Sequence, residues 1–225
     1  MYIKKLIFLF FIGYTMTSFA QKDSLQLGIR YAEDQLYVVI SYNQLFNQPA
    51  LVNGGGFASG FSTGFMKDLT LNKQGSISMA LGFGFNYDSF NHGLSILEDN
   101  NEVNFQVDNF FATNKLLVHN LEFPFEFRWR DSDSQTYKFW RVYMGLKASY
   151  NLSNNFKYTN GTDSFSYRKV SRYNTWQYGL TLSIGYDVFT AHAYYGLNSV
   201  LKNTPIETLD ISSKMMRIGL IFYFL

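Results

Sequence analysis

Residues 176–186 read WQYGLTLSIGY, and every second one, Trp176, Tyr178, Leu180, Leu182, Ile184 and Tyr186, is aromatic or large and apolar. Between them stand Gln177, Gly179, Thr181, Ser183 and Gly185. A period of two describes a strand with two unlike faces. Rising about 3.3 Å per residue and tilted ~45°, a strand of this length climbs roughly 25 Å, the height of the apolar band on an outer-membrane barrel. A half-buried strand in water would carry Lys, Glu or Arg on its wet side. Here that side holds glycine, small hydroxyls and one amide, which suit a crowded narrow lumen. The large face, ringed at both ends and aliphatic between, suits lipid.

The pattern recurs along the chain. Ile77, Met79, Leu81, Phe83, Phe85 and Tyr87 alternate with Ser78, Ala80, Gly82, Gly84 and Asn86. Stretches 120–130 and 140–150 place Phe123, Phe127, Trp129, Trp140, Met144 and Leu146 outward. Phe57 to Phe65, Val188 to Leu197 and Ser213 to Leu225 behave alike, and Pro124 predicts either a bulge or one unpaired position in the barrel wall. Long polar connections are expected near 44–56, 88–114, 151–172 and 198–212, the second as an irregular solvated loop and the third with a turn at Asn160-Gly161. Short ones fall near 67–75, 131–137 and at Asp187. Long and short alternate, as extracellular loops and periplasmic turns do in outer-membrane barrels. An even strand count requires Leu36 to Phe46 as the first membrane strand, with Leu25 to Tyr31 as a lead-in or an extra segment. The fold expected is therefore all-β, a transmembrane antiparallel up-and-down β-barrel of eight strands; ten would need Leu25 to Tyr31 and something more.

The first twenty residues read as a cleaved signal peptide. Lys4 and Lys5 precede an apolar core from Leu6 to Tyr14, and small residues lead to cleavage between Ala20 and Gln21. That core is too short for a spanning helix of about 20 residues. The expected organisation is thus signal peptide 1–20, periplasmic lead-in 21–35 and outer-membrane barrel 36–225. A chain with 23 Phe and 17 Tyr, yet a mean hydropathy of -0.11, fits strands that show rings to lipid. With no cysteine, neither disulfides nor thiolate metal sites are available. A net charge of +2 gives no reason to expect a nucleic-acid partner.

Glu122, Glu126, Arg128, Arg141 and Lys147 lie on two neighbouring strands and all point inward. Two carboxylates there could serve as acid and base if their environments differed. A lumen of eight strands leaves room only for packed side chains, so a structural ion-pair network is the stronger reading. His92, His119 and His192 have no metal-ligand spacing, and no Gly-x-Ser-x-Gly turn occurs. Asn53 to Gly56 lacks the Lys and the helix of a phosphate loop, and Asn160-Gly-Thr162 is only a formal glycosylation acceptor. No catalytic residue, cofactor or metal is expected. The terminal stretch carries Arg217, Gly219, Phe222 and Phe224 in the pattern of a C-terminal β-signal, which implies handling by the barrel-assembly machinery during insertion; Leu225 after Phe224 shifts the usual register by one.

From about Gly28 to Leu225 the chain resembles the PorT-type outer-membrane β-barrel proteins of Bacteroidota. The likeness is carried by Gly64-Phe-Met-Lys-Asp68, Asn120-Leu-Glu-Phe-Pro-Phe-Glu-Phe-Arg-Trp-Arg130, Tyr137-Lys-Phe-Trp-Arg141, Tyr178-Gly-Leu-Thr-Leu182, Tyr195-Gly-Leu-Asn198 and Ile218-Gly-Leu-Ile-Phe-Tyr223. The resemblance implies an integral outer-membrane protein and, for the named member, a part in type IX secretion of adhesins and proteases. It supplies no catalytic residues. The expected function is a non-enzymatic structural or assembly component, with lipid and secretion-complex proteins as partners. One alternative is a receptor or adhesin that binds through its long loops. Another is a soluble lipocalin-like carrier with its aromatics inside. A general porin is disfavoured, since an open channel needs about sixteen strands.

Overall fold

A computed structural model describes residues 34–47, 58–72, 74–91, 94–99, 102–107, 113–131, 139–160, 163–170, 172–202, 205–206, 209–210 and 213–224. The expected signal peptide with its Ala20/Gln21 cleavage site, the segment Leu25 to Tyr31, the Asn53 to Gly56 run, His92 and Leu225 lie outside these residues. Thirteen strands are present: β1 (Gln35–Phe46), β2 (Ser59–Thr70), β3 (Ile77–Asn91), β4 (Leu94–Asp99), β5 (Glu102–Val107), β6 (Thr113–Arg130), β7 (Trp140–Asn160), β8 (Asp163–Arg168), β9 (Trp176–Tyr186), β10 (Phe189–Gly196), β11 (Pro205–Ile206), β12 (Leu209–Asp210) and β13 (Lys214–Phe224).

Eight of them form the wall. The ladder runs β1-β2-β3-β6-β7-β9-β10-β13, and β13 pairs antiparallel with β1 from Leu36↔Phe224 to Phe46↔Lys214, which closes the barrel. Closure removes the sheet edge, so the backbone of the wall is satisfied without water. The alternation of faces follows: Phe83 is 64% exposed and Ile184 45%, whereas Ser183 is 1% and Lys147 4%. The apolar face that carries Phe83, Leu182 and Ile184 is the outer one, which overturns the inside-out carrier reading.

Trp and Tyr rings collect toward the two ends of the wall. Trp140 lies 5.3 Å from Tyr186 near the short-turn end, while Tyr150 lies 5.1 Å from Trp176, and Phe46 stacks 5.0 Å from Tyr195, at the other end. Aliphatic Leu146, Leu180, Leu182, Ile184 and Leu220, with phenylalanines such as Phe125 opposite Leu146, fill the band between. This is the distribution that a bilayer with a polar interface on each side selects.

Several boundaries differ from the sequence reading, mostly at the ends of strands. β2 continues to Thr70, so the short turn begins at Leu71 rather than at Lys67; Asn72 organises it by accepting from the Ile77 N–H (3.1 Å). β10 runs from Phe189, and the reversal uses both Asp187 and Val188, with Asp187 at φ 55°. The described part of 88–114 is strand rather than irregular loop: β3 runs to Asn91, β6 begins at Thr113, and β4 and β5 pair antiparallel between them. The described part of the polar 151–172 segment is likewise mostly strand, because β7 extends to Asn160 and pairs with β8, while Gly161 of the expected turn lies outside the described residues. Polar residues there suit strands that have left the apolar belt, where neither face needs to be greasy. A register shift at His119/Asn120 marks that exit.

Pro124 resolves as the unpaired position rather than as a bulge. The β3–β6 register holds Leu81↔Phe125 and Gly84↔Glu122 but skips Gly82 and Phe83, while Pro124 keeps its place opposite Lys147 on β7. The missing N–H thus falls on one ladder only.

At Gly179 the lumen leaves no room for a Cβ, which would run into the ring of Tyr194 on the neighbouring β10. Gly179→Val should therefore displace that ring and cost about 1–3 kcal/mol, as overpacking does. Urea titration of the refolded protein in micelles, followed by heat-modifiable migration, measures the loss.

Candidate functional site

The barrel interior is stacked in layers. At the short-turn end Arg128 donates from Nε to Glu126 (3.0 Å) and from one Nη to Gln35 (3.1 Å), and lies 3.5 Å from Asp68. Arg130 reaches Asp68 at 2.8 Å and donates to the Gly75 carbonyl at 2.6 Å. Tyr143 and Tyr223 lie 4.7 and 5.5 Å from the Arg128 guanidinium. Further along, Tyr37, Val39, Met66, Ala80 and Ile221 form an apolar layer.

Beyond it lies the second charged layer, built on Glu122. One oxygen accepts from Lys147 (3.1 Å) and the other from Arg217 (2.8 Å), whose second Nη meets Asp88 at 2.7 Å. Asn43 and Asn86 donate to the other oxygen of Asp88 at 2.8 and 3.1 Å, and Ser41 donates to Asn43. Tyr194 lies against the guanidinium of Arg217, 4.5 Å away. His192 Nδ1 and Ser183 Oγ are 2.8 Å apart in the same interior. Each of these charges is nearly inaccessible to water, so an unpaired member would be costly.

The long-connection end carries an apolar lid. Segments 172–174 and 199–202 join through a Tyr173↔Leu201 bridge, a Lys202 N–H donated to the Arg172 carbonyl (2.7 Å) and an Asn174 N–H donated to the Val200 carbonyl (2.9 Å). Val170, Tyr173, Val200 and Leu201 pack on Phe90, Leu116, Val118, Phe156 and Met215, which project from the walls. Burial in this lid pushes the Tyr173 phenol pKa up.

Of the five charges singled out from the sequence, four stand in these two layers: Glu122 and Lys147 in one, Glu126 and Arg128 in the other. Arg141 is buried but separate. It lies over the Phe139 ring at 4.7 Å, and among the described residues no carboxylate stands within ion-pair distance of it. The sequence reading missed Asp68, Asp88 and Arg130 as members and treated Arg217 only as part of a terminal signal. Parity would have found Asp88 and Asp68, since Asn86 and Met66 precede them on the same inward face. Of the terminal residues, Arg217 points inward, Gly219 pairs with Ser41 on β1, and Phe224 faces outward. His119 lies outside the barrel between Phe85 and Tyr87, at 5.8 and 5.1 Å.

With closure, outward rings and a filled lumen established, comparison with known proteins is informative. Residues 19–202 match the family described as outer membrane protein beta-barrel domain, well over half of the chain. The chain belongs to that family. No curated protein matches it. Among solved structures, Ail, the attachment invasion locus protein of Yersinia pestis, aligns over 85% of this chain and 99% of its own, at 12% identity and a TM-score of 0.31, a likeness that carries no functional inference. This family member is thus an outer-membrane barrel of eight antiparallel strands.

Removing Glu122 strands two buried cations, whereas removing Arg141 strands no carboxylate among the described residues. Glu122→Ala is expected to destabilise the barrel by about 3–5 kcal/mol, and Arg141→Met, which keeps the apolar stem, by less than about 1 kcal/mol. Urea unfolding in micelles should separate the two variants.

Proposed function

We propose that this barrel is a non-enzymatic, closed scaffold of the outer membrane that serves as an assembly component for protein secretion, in the manner of the PorT-type proteins it resembles. The observation that carries the reading is the interior: two paired charged layers and an apolar lid occupy the space that a channel or a substrate would need. Both oxygens of Glu122 are committed to cations and Glu126 is held by Arg128, which disfavours them as a general acid and base. What such a barrel offers to others is its rim and its outer wall. Secretion-complex proteins bound there are the partners of this reading, and type IX secretion is the process. In this reading the long connections face the exterior, the mature chain begins at Gln21, and Arg217, Gly219, Phe222 and Phe224 are presented to the assembly machinery.

A second reading, a surface receptor or adhesin, is favoured by one feature: β3, β6 and β7 continue past the belt, and β8 pairs with β7 there, so the sheet stands tall on one side of the mouth.

Deletion of the gene separates the two. A scaffold predicts that secreted adhesins and proteases accumulate in the periplasm while planar bilayers holding the purified protein show no stable conductance. Intact secretion with loss of a surface ligand would favour the receptor. A large, steady conductance would contradict the plugged interior. Sequencing the N-terminus of the membrane-extracted protein should return Gln21 first.

A further inference from the structure

Above the belt, the outer face of the sheet carries an arrangement that folding stability does not explain. Lys115 on β6 and Lys157 on β7 are direct cross-strand partners, and both are exposed. Like charges placed opposite one another destabilise a sheet. Lysines are often used to blunt a free sheet edge, but neither strand is an edge at this level, since β6 pairs with β3 at Asn91↔Lys115 and β7 pairs with β8 at Lys157↔Ser166. Arg168 on β8 lies two residues beyond Ser166, so it shares this outward face, and the exposed Lys169 follows it. Among the side chains that the structure describes, no carboxylate stands within ion-pair distance of these four cations.

The height of the patch identifies what can neutralise it. His119, on the outward face of β6, packs on Tyr87 in the girdle at the long-connection end. Lys115 is four residues further along, ~14 Å of strand and roughly 10 Å of height after tilt. Long basic side chains can reach from there into the headgroup layer, which extends several ångströms beyond the hydrocarbon. The patch is continuous with the lipid-facing wall: Leu117 lies between Lys115 and His119 on the same outward side.

We propose that Lys115, Lys157 and Arg168 form a binding surface for the phosphate-bearing headgroups of anionic lipid in the leaflet at the long-connection end. A single phosphate lying between the two lysines would relieve their mutual repulsion, and Arg168 presents a planar fork suited to a second. This inference goes beyond the scaffold reading and does not depend on it, because a receptor or a secretion component would be anchored in the same way.

The test uses the full mature chain refolded in neutral micelles, with lipid A as the probe. The Lys115→Gln/Lys157→Gln/Arg168→Gln variant should bind lipid A on the order of a hundredfold more weakly, since each of the three charges removed near a surface is worth about fivefold. About 0.5 M NaCl should weaken wild-type binding similarly. In lipid-A-free micelles the triple variant should be at least as stable as wild type, since a repulsive pair has gone. Should the triple variant fail to refold, Lys157→Gln alone should show the fivefold loss. Unchanged affinity overturns the proposal, as does lower stability of the variant without lipid A. Displacement of lipid A by millimolar inorganic phosphate also overturns it, since the ligand would then be a dissolved anion. Secretion by the deletion strain plays no part in these outcomes, so this inference and the scaffold reading can fail separately.

Discussion

The pairing of the last strand with the first governs the rest of this molecule. Once Leu36↔Phe224 through Phe46↔Lys214 is formed, no strand of the wall has a free edge and each has lipid on one face and the lumen on the other. A step of one residue anywhere would exchange the two faces. The lumen is also narrow, because eight strands enclose little more than their own side chains. Phe83 outside and Gly84 inside are two results of the same closure, and so is the inability of Glu122 to remain unpaired.

That confinement explains the form of the interior. Water is scarce between Ser41, Asn86 and Ser149, so charges brought together by eight strands have to neutralise each other. They do so in two discs, around Asp68 and around Glu122, separated by the apolar layer of Tyr37, Val39 and Met66. Each disc ties strands that are remote in sequence: Arg217 on β13 meets Glu122 on β6, and Arg128 on β6 meets Gln35 on β1. Buried pairs of this kind add little net stability against an apolar core, but they penalise wrong registers severely. The lid then joins two of the long connections over the mouth with apolar side chains. With the interior filled, the surfaces that this barrel presents are its rim and outer wall, where the tall sheet extension and its basic face stand.

Much of this was legible from residue order alone. Alternation in Ile77 to Tyr87 and in Trp176 to Tyr186 specified strands, faces and a bilayer, because a period of two has one structural meaning and a glycine-and-hydroxyl face opposite rings has one sensible solvent. Alternating long and short connections gave the count of eight. Glu122, Glu126, Arg128 and Lys147 were visible as inward charges for the same reason. Where the pattern turned polar the reading failed. The extension of β7 beyond Tyr150 and the β4–β5 hairpin look like loops when a strand is recognised by its greasy face, since outside the membrane that face is no longer required.

The chain by itself therefore determined which residues meet lipid and how often the wall is crossed, because those depend on periodicity and length within single strands. Which charges become partners was decided only by the closed fold. Asp88 meets Arg217, Asp68 meets Arg130, and Arg141 lies against Phe139 with no carboxylate partner among the described residues, because partnership depends on stagger and tilt across the lumen, which no single strand encodes. The same holds for Lys115 and Lys157, neighbours only because two strands run on together past the membrane.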